Sequence, residues 1–148
     1  MKKETMLRNY RKLSGASAYI VGFVDNGQVY MVDMPSIPPR FINYEKASRN
    51  QGYALRLRLK KAHKVQLMKK AVCLGSAEEL TKGKYNQGEN FERVVSIHYG
   101  IEWVKDNEAF TKCGDIRVNG IEIQIKFDGA TFTNEKTLKR QMSLKRVA

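Results

Sequence analysis

The chain has 148 residues, enough for one hydrophobic core of moderate size but not for two independent ones of ordinary size. Its 27 Lys+Arg against 15 Asp+Glu give a net charge of +12, more than solubility requires, which points to a polyanionic partner with nucleic acid as the first candidate. No apolar run approaches a membrane span, the basic N-terminus lacks the apolar stretch of a signal peptide, and two cysteines without C-x-x-C spacing argue against zinc and for free thiols, so a cytoplasmic location is expected. From the N-terminus, Met1 to Gly15 is rich in Lys and Arg, with Met6, Leu7, Tyr10 and Leu13 spaced for a short amphipathic helix ending at Gly15; a frayed terminus is the alternative. Ala18 to Val24 and Gln28 to Met34 then read as a hairpin joined through Asp25-Asn26-Gly27, with arms too apolar to stand alone.

Pro35, Pro38 and Pro39 break the chain and mark a loop or boundary. Phe41 to Arg49 is expected as a short helix stopping near Asn50-Gln51-Gly52. The next stretch supports two readings. Leu55, Leu57 and Leu59 alternate with Arg56, Arg58 and Lys60 as in a strand, whereas the abundance of Ala, Leu, Arg and Lys favours a helix over Tyr53 to Ala71, which is the expectation adopted. Either way Arg56, Arg58, Lys60, Lys61, Lys64, Lys69 and Lys70 occur there without an acid, so phosphate contact is favoured over a merely solvated face. The imbalance extends across the whole N-terminal half: residues 1–75 carry 15 Lys+Arg and 4 Asp+Glu, residues 76–148 carry 12 and 11.

Ser76-Ala77-Glu78-Glu79 has the form of a capping box before a brief helix, and Lys82 to Gly88 is a polar connector without a P-loop match. A helix from about Glu89 to Tyr99 puts Phe91, Val94, Val95 and His98 or Tyr99 on one side, with Glu92 beside that stripe and Gly100 as its cap. His98 is a base near a site or, more commonly for a helix end, a capping or packing residue; as partner to Cys113 it makes a weak case for a Cys-His enzyme. Ile101 to Val104 can supply a strand before the polar turn Lys105-Asp106-Asn107-Glu108. Ile116 and Val118 lead into Asn119-Gly120, the dipeptide suited to a two-residue turn, and a strictly alternating strand follows. It carries Ile121, Ile123 and Ile125 on one face and Glu122, Gln124 and Lys126 on the other. Beyond Asp128-Gly129, a helix starts at Thr133 or Asn134 and bears Lys136, Lys139, Arg140, Lys145 and Arg146.

Asp115, at the far end of the first strand of this second hairpin, would approach the polar face of the second strand. An acid, an acid or amide, and a lysine converging across paired strands suit metal-assisted phosphodiester hydrolysis, in which oxygen ligands hold a hard cation and the lysine helps place the nucleophile. The order of Asn90-Phe91-Glu92-Arg93, then Gly114-Asp115, then Gln124-Ile125-Lys126 resembles the PD-(D/E)xK nuclease superfamily, in the Mrr-like variant with Gln at the second acidic position. The likeness runs from about Gly88 to Leu138 and departs from the pattern in two ways. No Pro precedes Asp115, and Gln124 brings no charge to a metal. Glu122, two residues away on the same strand face, is either a compensating ligand or the partner of a nearby Lys or Arg.

The resemblance implies an α/β fold of restriction-endonuclease type, a mixed sheet flanked by helices. Residues 1–75 would form a basic accessory element with the first hairpin and residues 76–148 the nuclease core, the two joined in one compact unit. It implies Mg²⁺ or Mn²⁺ held by Asp115, Glu92 and Gln124, with Lys126 orienting water; Glu122 would join these ligands if it compensates for Gln124 and does not pair with a cation. DNA, more than RNA, would lie against Arg56, Arg58, Lys60, Lys61, Lys64, Lys136, Lys139 and Arg140. The family's fourth core strand is not evident; Met142 to Val147, the N-terminal hairpin or a homodimer partner are the candidates. The competing expectation is a regulatory or inhibitory nucleic-acid-binding protein that keeps this fold without turnover.

Overall fold

The N-terminal hairpin lies at the centre of the molecule. In the computed structural model, which describes residues 2–103 and 116–147, β1 (Ala18–Asp25) and β2 (Gln28–Met34) pair antiparallel around Asn26-Gly27. Asp25 belongs to the strand, so the turn has two residues, both at positive φ (49° and 74°), as that turn demands. β1 then pairs in parallel with β7 (Ile121–Phe127), which itself forms a hairpin with β6 (Ile116–Val118) around Asn119-Gly120. With β5 (Val72–Ser76) on the outer side of β2, the order of the mixed five-stranded sheet is β5-β2-β1-β7-β6. The first hairpin, expected within a basic accessory element of residues 1–75 and also a candidate for a further core strand, supplies the middle of this sheet. A run of five buried residues in β1 explains why, because a strand apolar on both faces is stable only where both faces are covered.

A second sheet, antiparallel with order β3-β4-β8, is made of Ile42–Lys46, Tyr53–Leu57 and Thr131–Asn134. Of the two helices expected here, the first is absent and the second is shortened. Pro39 opens a 3-10 turn, Pro39–Phe41, after which the chain is extended and Ile42 pairs with Leu57. Across 53–71, the alternation wins over helix propensity for the first five residues: Leu55 and Leu57 are fully buried, and pairing with both β3 and β8 satisfies the backbone. Only Lys61–Met68 (α2) is helical in that stretch. The brief helix after Ser76 is a 3-10 helix, Ala77–Thr81, whose first turn is capped by the Ser76 hydroxyl.

Three further helices complete the described residues. α1 (Lys3–Ser14) ends at Gly15 in the left-handed region, α3 (Gln87–His98) is followed by Gly100 at φ 67°, and α4 (Glu135–Val147) starts at Asn134, whose side chain accepts from Thr137 N. Residues Met142 to Val147 are thus helical and supply no strand. Ile101–Trp103 is not a strand, and Val104 with the turn 105–108 lies outside the described residues. The two faces of the large sheet bury different cores. On one, Ile20, Val29, Met31, Ile125 and Phe127 pack under Phe91 and Val95 of α3. On the other, Tyr19, Val21, Phe23 and Val32 meet α1, α4 and the small sheet through Met6, Leu55, Leu57, Phe132 and Leu138. No helix among the described residues is long and apolar enough to cross a membrane.

Candidate functional site

The position of α3 is set first by a glycine. A Cβ at Gly22 of β1 would run into the Phe91 ring, so the bare backbone there lets Phe91 lie directly on the sheet, 5.2 Å from the Phe127 ring centroid. The helix start is fixed by a reciprocal cap: Asn86 Oδ1 accepts from Glu89 N at 2.8 Å, and Asn86 N donates to Glu89 Oε1 at 3.2 Å. The loop before it is held from inside by Asn90, fully buried, whose amide donates to the carbonyls of Leu80 (2.9 Å), Lys82 (3.0 Å) and Tyr85 (3.3 Å). Arg93 ties the same helix to the Glu79 carbonyl at 3.0 Å. With Phe91 fixed inward, the next residue, Glu92, is delivered to the rim.

The opposing wall comes from the end of β7. Lys126 is opposite Val21 in the parallel pairing, its Nζ donates to Thr131 O at 3.4 Å and stands 5.4 Å from the Phe132 ring centroid. The chain then turns at Asp128-Gly129, expected from sequence and now seen to be anchored to β4: Gly129 N donates to Leu57 O and Leu57 N to Ala130 O. Asp128 Oδ1 accepts from Leu59 N at 3.0 Å, and its Oδ2 lies 3.4 Å from Lys64 Nζ. Between these walls is a cleft of about 580 Å³, with Glu89, Glu92, Lys126, Asp128, Arg58 and Thr131 among its lining residues. It is mixed in charge, with Glu89 and Glu92 from the helix and Asp128 from the turn lining it together with Arg58 and Lys126.

Of the expected site residues, Glu92 and Lys126 both border this cleft, but from different sides of the sheet: Ile125 and Phe127 are the β7 residues packed under α3, whereas Lys126 shares its pleat side with Val21 and reaches toward Phe132. Gln124 pairs with Tyr19 and sits on the same pleat side of β7 as Lys126, two residues before it, outside the cleft lining. Asp115 lies outside the described residues, as does Cys113; the hairpin register runs to Ile116 opposite Ile123. Glu122 has the partner that one of its two readings expects: it faces Arg117 across the hairpin and accepts from Arg117 Nη2 at 2.5 Å. His98 packs edge-on against Tyr99, with ring centroids 5.1 Å apart. Cys73 is an exposed free thiol. Among the described residues no group of three or more His, Cys, Asp or Glu could hold a metal ion.

The basic stretch is less open than its sequence suggests. Arg56 donates to Gly129 O at 3.2 Å, and its Nε lies 2.8 Å from Glu45 Oε1 in ion-pair contact without hydrogen-bond geometry. Arg58 grips both Glu45 oxygens, at 3.3 and 3.1 Å, while still lining the cleft. The Arg58 hydrogen bonds hold the Glu45 carboxyl below its ordinary range, partial burial opposing them and the Arg58 and Arg56 charges adding to them; Arg58 is raised in turn. Lys64 reaches Asp128 and the Val24 carbonyl. Lys60 and Lys61 are exposed at the start of α2, and Lys136, Lys139 and Arg140 are exposed on α4, with Lys139 3.9 Å from Glu135.

Glu45, Asp128 and Glu89 are therefore the residues that sequence reasoning passed over. The first two are distant in sequence from the cations they bind, and only the Asp-Gly turn signal hinted at one of them. No family model matches the chain, and neither a curated protein nor a solved structure does.

Proposed function

We propose that the protein is a metal-dependent nuclease that hydrolyses phosphodiester bonds, with DNA as the substrate. One observation carries the reading: Glu92, from a helix, and Lys126, two residues past Gln124 on a strand, are both among the residues that line one open cleft in a chain of net charge +12. A hard divalent cation prefers oxygen donors, and Glu92, Asp115 and the Gln124 amide offer only those. When bound, such an ion would supply an activated water and neutralise charge on the phosphate. Lys126, tethered to the Thr131 carbonyl, would orient the water and stabilise the developing charge. Arg58, steadied by Glu45, would meet a phosphate oxygen at the cleft wall. Glu122 stays with Arg117 in this scheme.

A second reading, a nucleic-acid-binding protein without turnover, draws support from the uncharged Gln124. The two separate on linear, supercoiled, branched and modified DNA, with RNA as comparator, in Mg²⁺ or Mn²⁺. We expect Lys126→Ala to lower the cleavage rate by about 10²-fold or more with DNA affinity nearly unchanged, because its charge acts in the transition state. Asp115→Ala should cost both metal binding and cleavage. If wild-type protein binds DNA, cleaves none of these substrates, and calorimetry finds no metal site that Asp115→Ala abolishes, the binding-protein reading replaces the nuclease.

A further inference from the structure

The outer face of α1 carries a second concentration of charge, away from the cleft walls. Arg8, Arg11 and Lys12 are exposed, with Arg11 and Lys12 three and four residues after Arg8, Glu4 four residues before Arg8, and Lys3 beside Glu4. They line a groove of about 610 Å³ that runs beside Pro39, and exposed Arg40 is the next residue in the chain. Four cations against one acid leave this face strongly positive. Beneath the cations the helix is committed to the interior: Met6 is fully buried, Leu7, which also lines the groove, nearly so, and Tyr10 stacks edge-on against Phe132 at 5.5 Å.

We infer that this face of α1 is a phosphate-binding surface for the backbone of a nucleic acid, independent of its base sequence. Three features select that partner. Lys3 to Lys12 spans about 13 Å of helix rise, the axial length of about four nucleotides of one strand. The face offers guanidinium and ammonium donors, and its nearest aromatic, Tyr10, is taken up by Phe132, so bases have no platform to stack on. An anionic membrane is disfavoured because a helix lying at a bilayer surface buries its apolar side in lipid, and here that side is already inside the core. The inference rests on the nucleic-acid half of the reading above and does not require catalysis.

The test is a fluorescence-anisotropy titration of a labelled duplex with the full chain at several KCl concentrations. The combined variant Arg8→Ala/Arg11→Ala/Lys12→Ala should weaken binding at least about tenfold near 0.1 M salt and reduce the slope of log K against log salt by about 2–3, one counterion-release contribution per lost contact. Glu4→Gln, which removes the acid from the stripe, should tighten binding. A natively folded triple variant with unchanged affinity and slope overturns the inference, as does Glu4→Gln without effect should the triple variant fail to fold. Loss of binding to phosphatidylserine vesicles with duplex binding retained would overturn it in favour of a membrane. Wild-type protein that binds duplex through this face but cleaves nothing removes the nuclease reading alone; wild-type protein that binds no nucleic acid removes both.

Discussion

The two hairpins of the large sheet share one turn and differ in everything around it. Both β1–β2 and β6–β7 close through Asn-Gly with both residues at positive φ. In the first, β1 is buried on both faces; in the second, β7 is buried only toward its C-terminal end, at Ile125 and Phe127, while Ile121 is 49% exposed beside the short edge strand β6. An identical local signal thus produces a central scaffold in one place and a half-open edge in the other. What separates them is side-chain pattern: an unbroken apolar run demands cover on both sides, whereas strict alternation leaves one face for polar groups. The polar groups of the candidate site sit on the second kind of strand and are held in place by the first.

The largest effects expected from this division are at the contact of Gly22 with Phe91. Gly22→Ala should destabilise by about 1–3 kcal/mol, because the added Cβ drives Phe91 off the sheet, and Phe91→Ala should cost about 3–5 kcal/mol through the cavity it leaves. In the double variant the new methyl enters the space the ring vacated, so urea unfolding should find a sum smaller than the two single costs. At the edge hairpin, Ile121→Ala should cost less than about 1 kcal/mol, since half of that side chain is already in water. Strictly additive costs at Gly22 and Phe91, or an Ile121 cost as large as that of Phe91, would dissolve the distinction between scaffold and edge.

Local structure was legible where neighbours in sequence decide it. Both Asn-Gly hairpins, the α1 stop at Gly15 and the α4 start at Asn134 follow from turn and cap chemistry within a few residues. The parallel pairing of β1 with β7 was not, since its partners are a hundred residues apart and parallel pairing leaves no short-range mark. The same limit applies to the 53–57 strand, whose Leu and Arg residues suit either period until β3 and β8 claim its backbone. For the site, helix placement and strand alternation were enough to bring Glu92 and Lys126 into view. They could not show that Glu45 and Asp128 occupy Arg56, Arg58 and Lys64, because ion pairs between elements are made by the fold.

Acid should loosen the two regions unequally. Around β7's exit, the Glu45 network holds Arg56 and Arg58, and the pKa of Glu45 is depressed below its ordinary 4.5. A carboxyl with a lowered folded pKa stabilises the fold above its unfolded value and loses that contribution as pH falls through the folded value. Between neutral pH and about pH 3, hydrogen exchange should therefore accelerate in residues 128–134 before it does in β1–β2, whose burial does not titrate. Glu45→Gln should cost about 1 kcal/mol at neutral pH, a figure held down by the partial exposure of the group, and should flatten the acid dependence. An unaltered pH profile in that variant would place the acid-sensitive contact elsewhere.

The smallest expected change tests the polar face itself, at Glu122. This carboxylate is engaged by Arg117 directly across the hairpin, on an edge where the Arg117 side chain is 56% exposed. Removing one charge of an exposed pair costs about 0.2–1 kcal/mol, so Glu122→Gln should barely move the unfolding midpoint, and Arg117→Ala should move it by a similar amount. If the protein is the nuclease proposed above, the pair should also be nearly invisible to cleavage. If Glu122 serves only Arg117, Glu122→Gln leaves the metal dependence of cleavage where it was, while Glu92→Gln shifts it to higher concentration by weakening the metal directly. If instead Glu122→Gln raises the metal requirement as much as Glu92→Gln does, Glu122 would leave Arg117 for the proposed metal and compensate for the missing charge at Gln124. In that case Arg117→Ala, by freeing the carboxylate, should lower the metal requirement below that of wild type, a result the exposed ion pair alone does not predict.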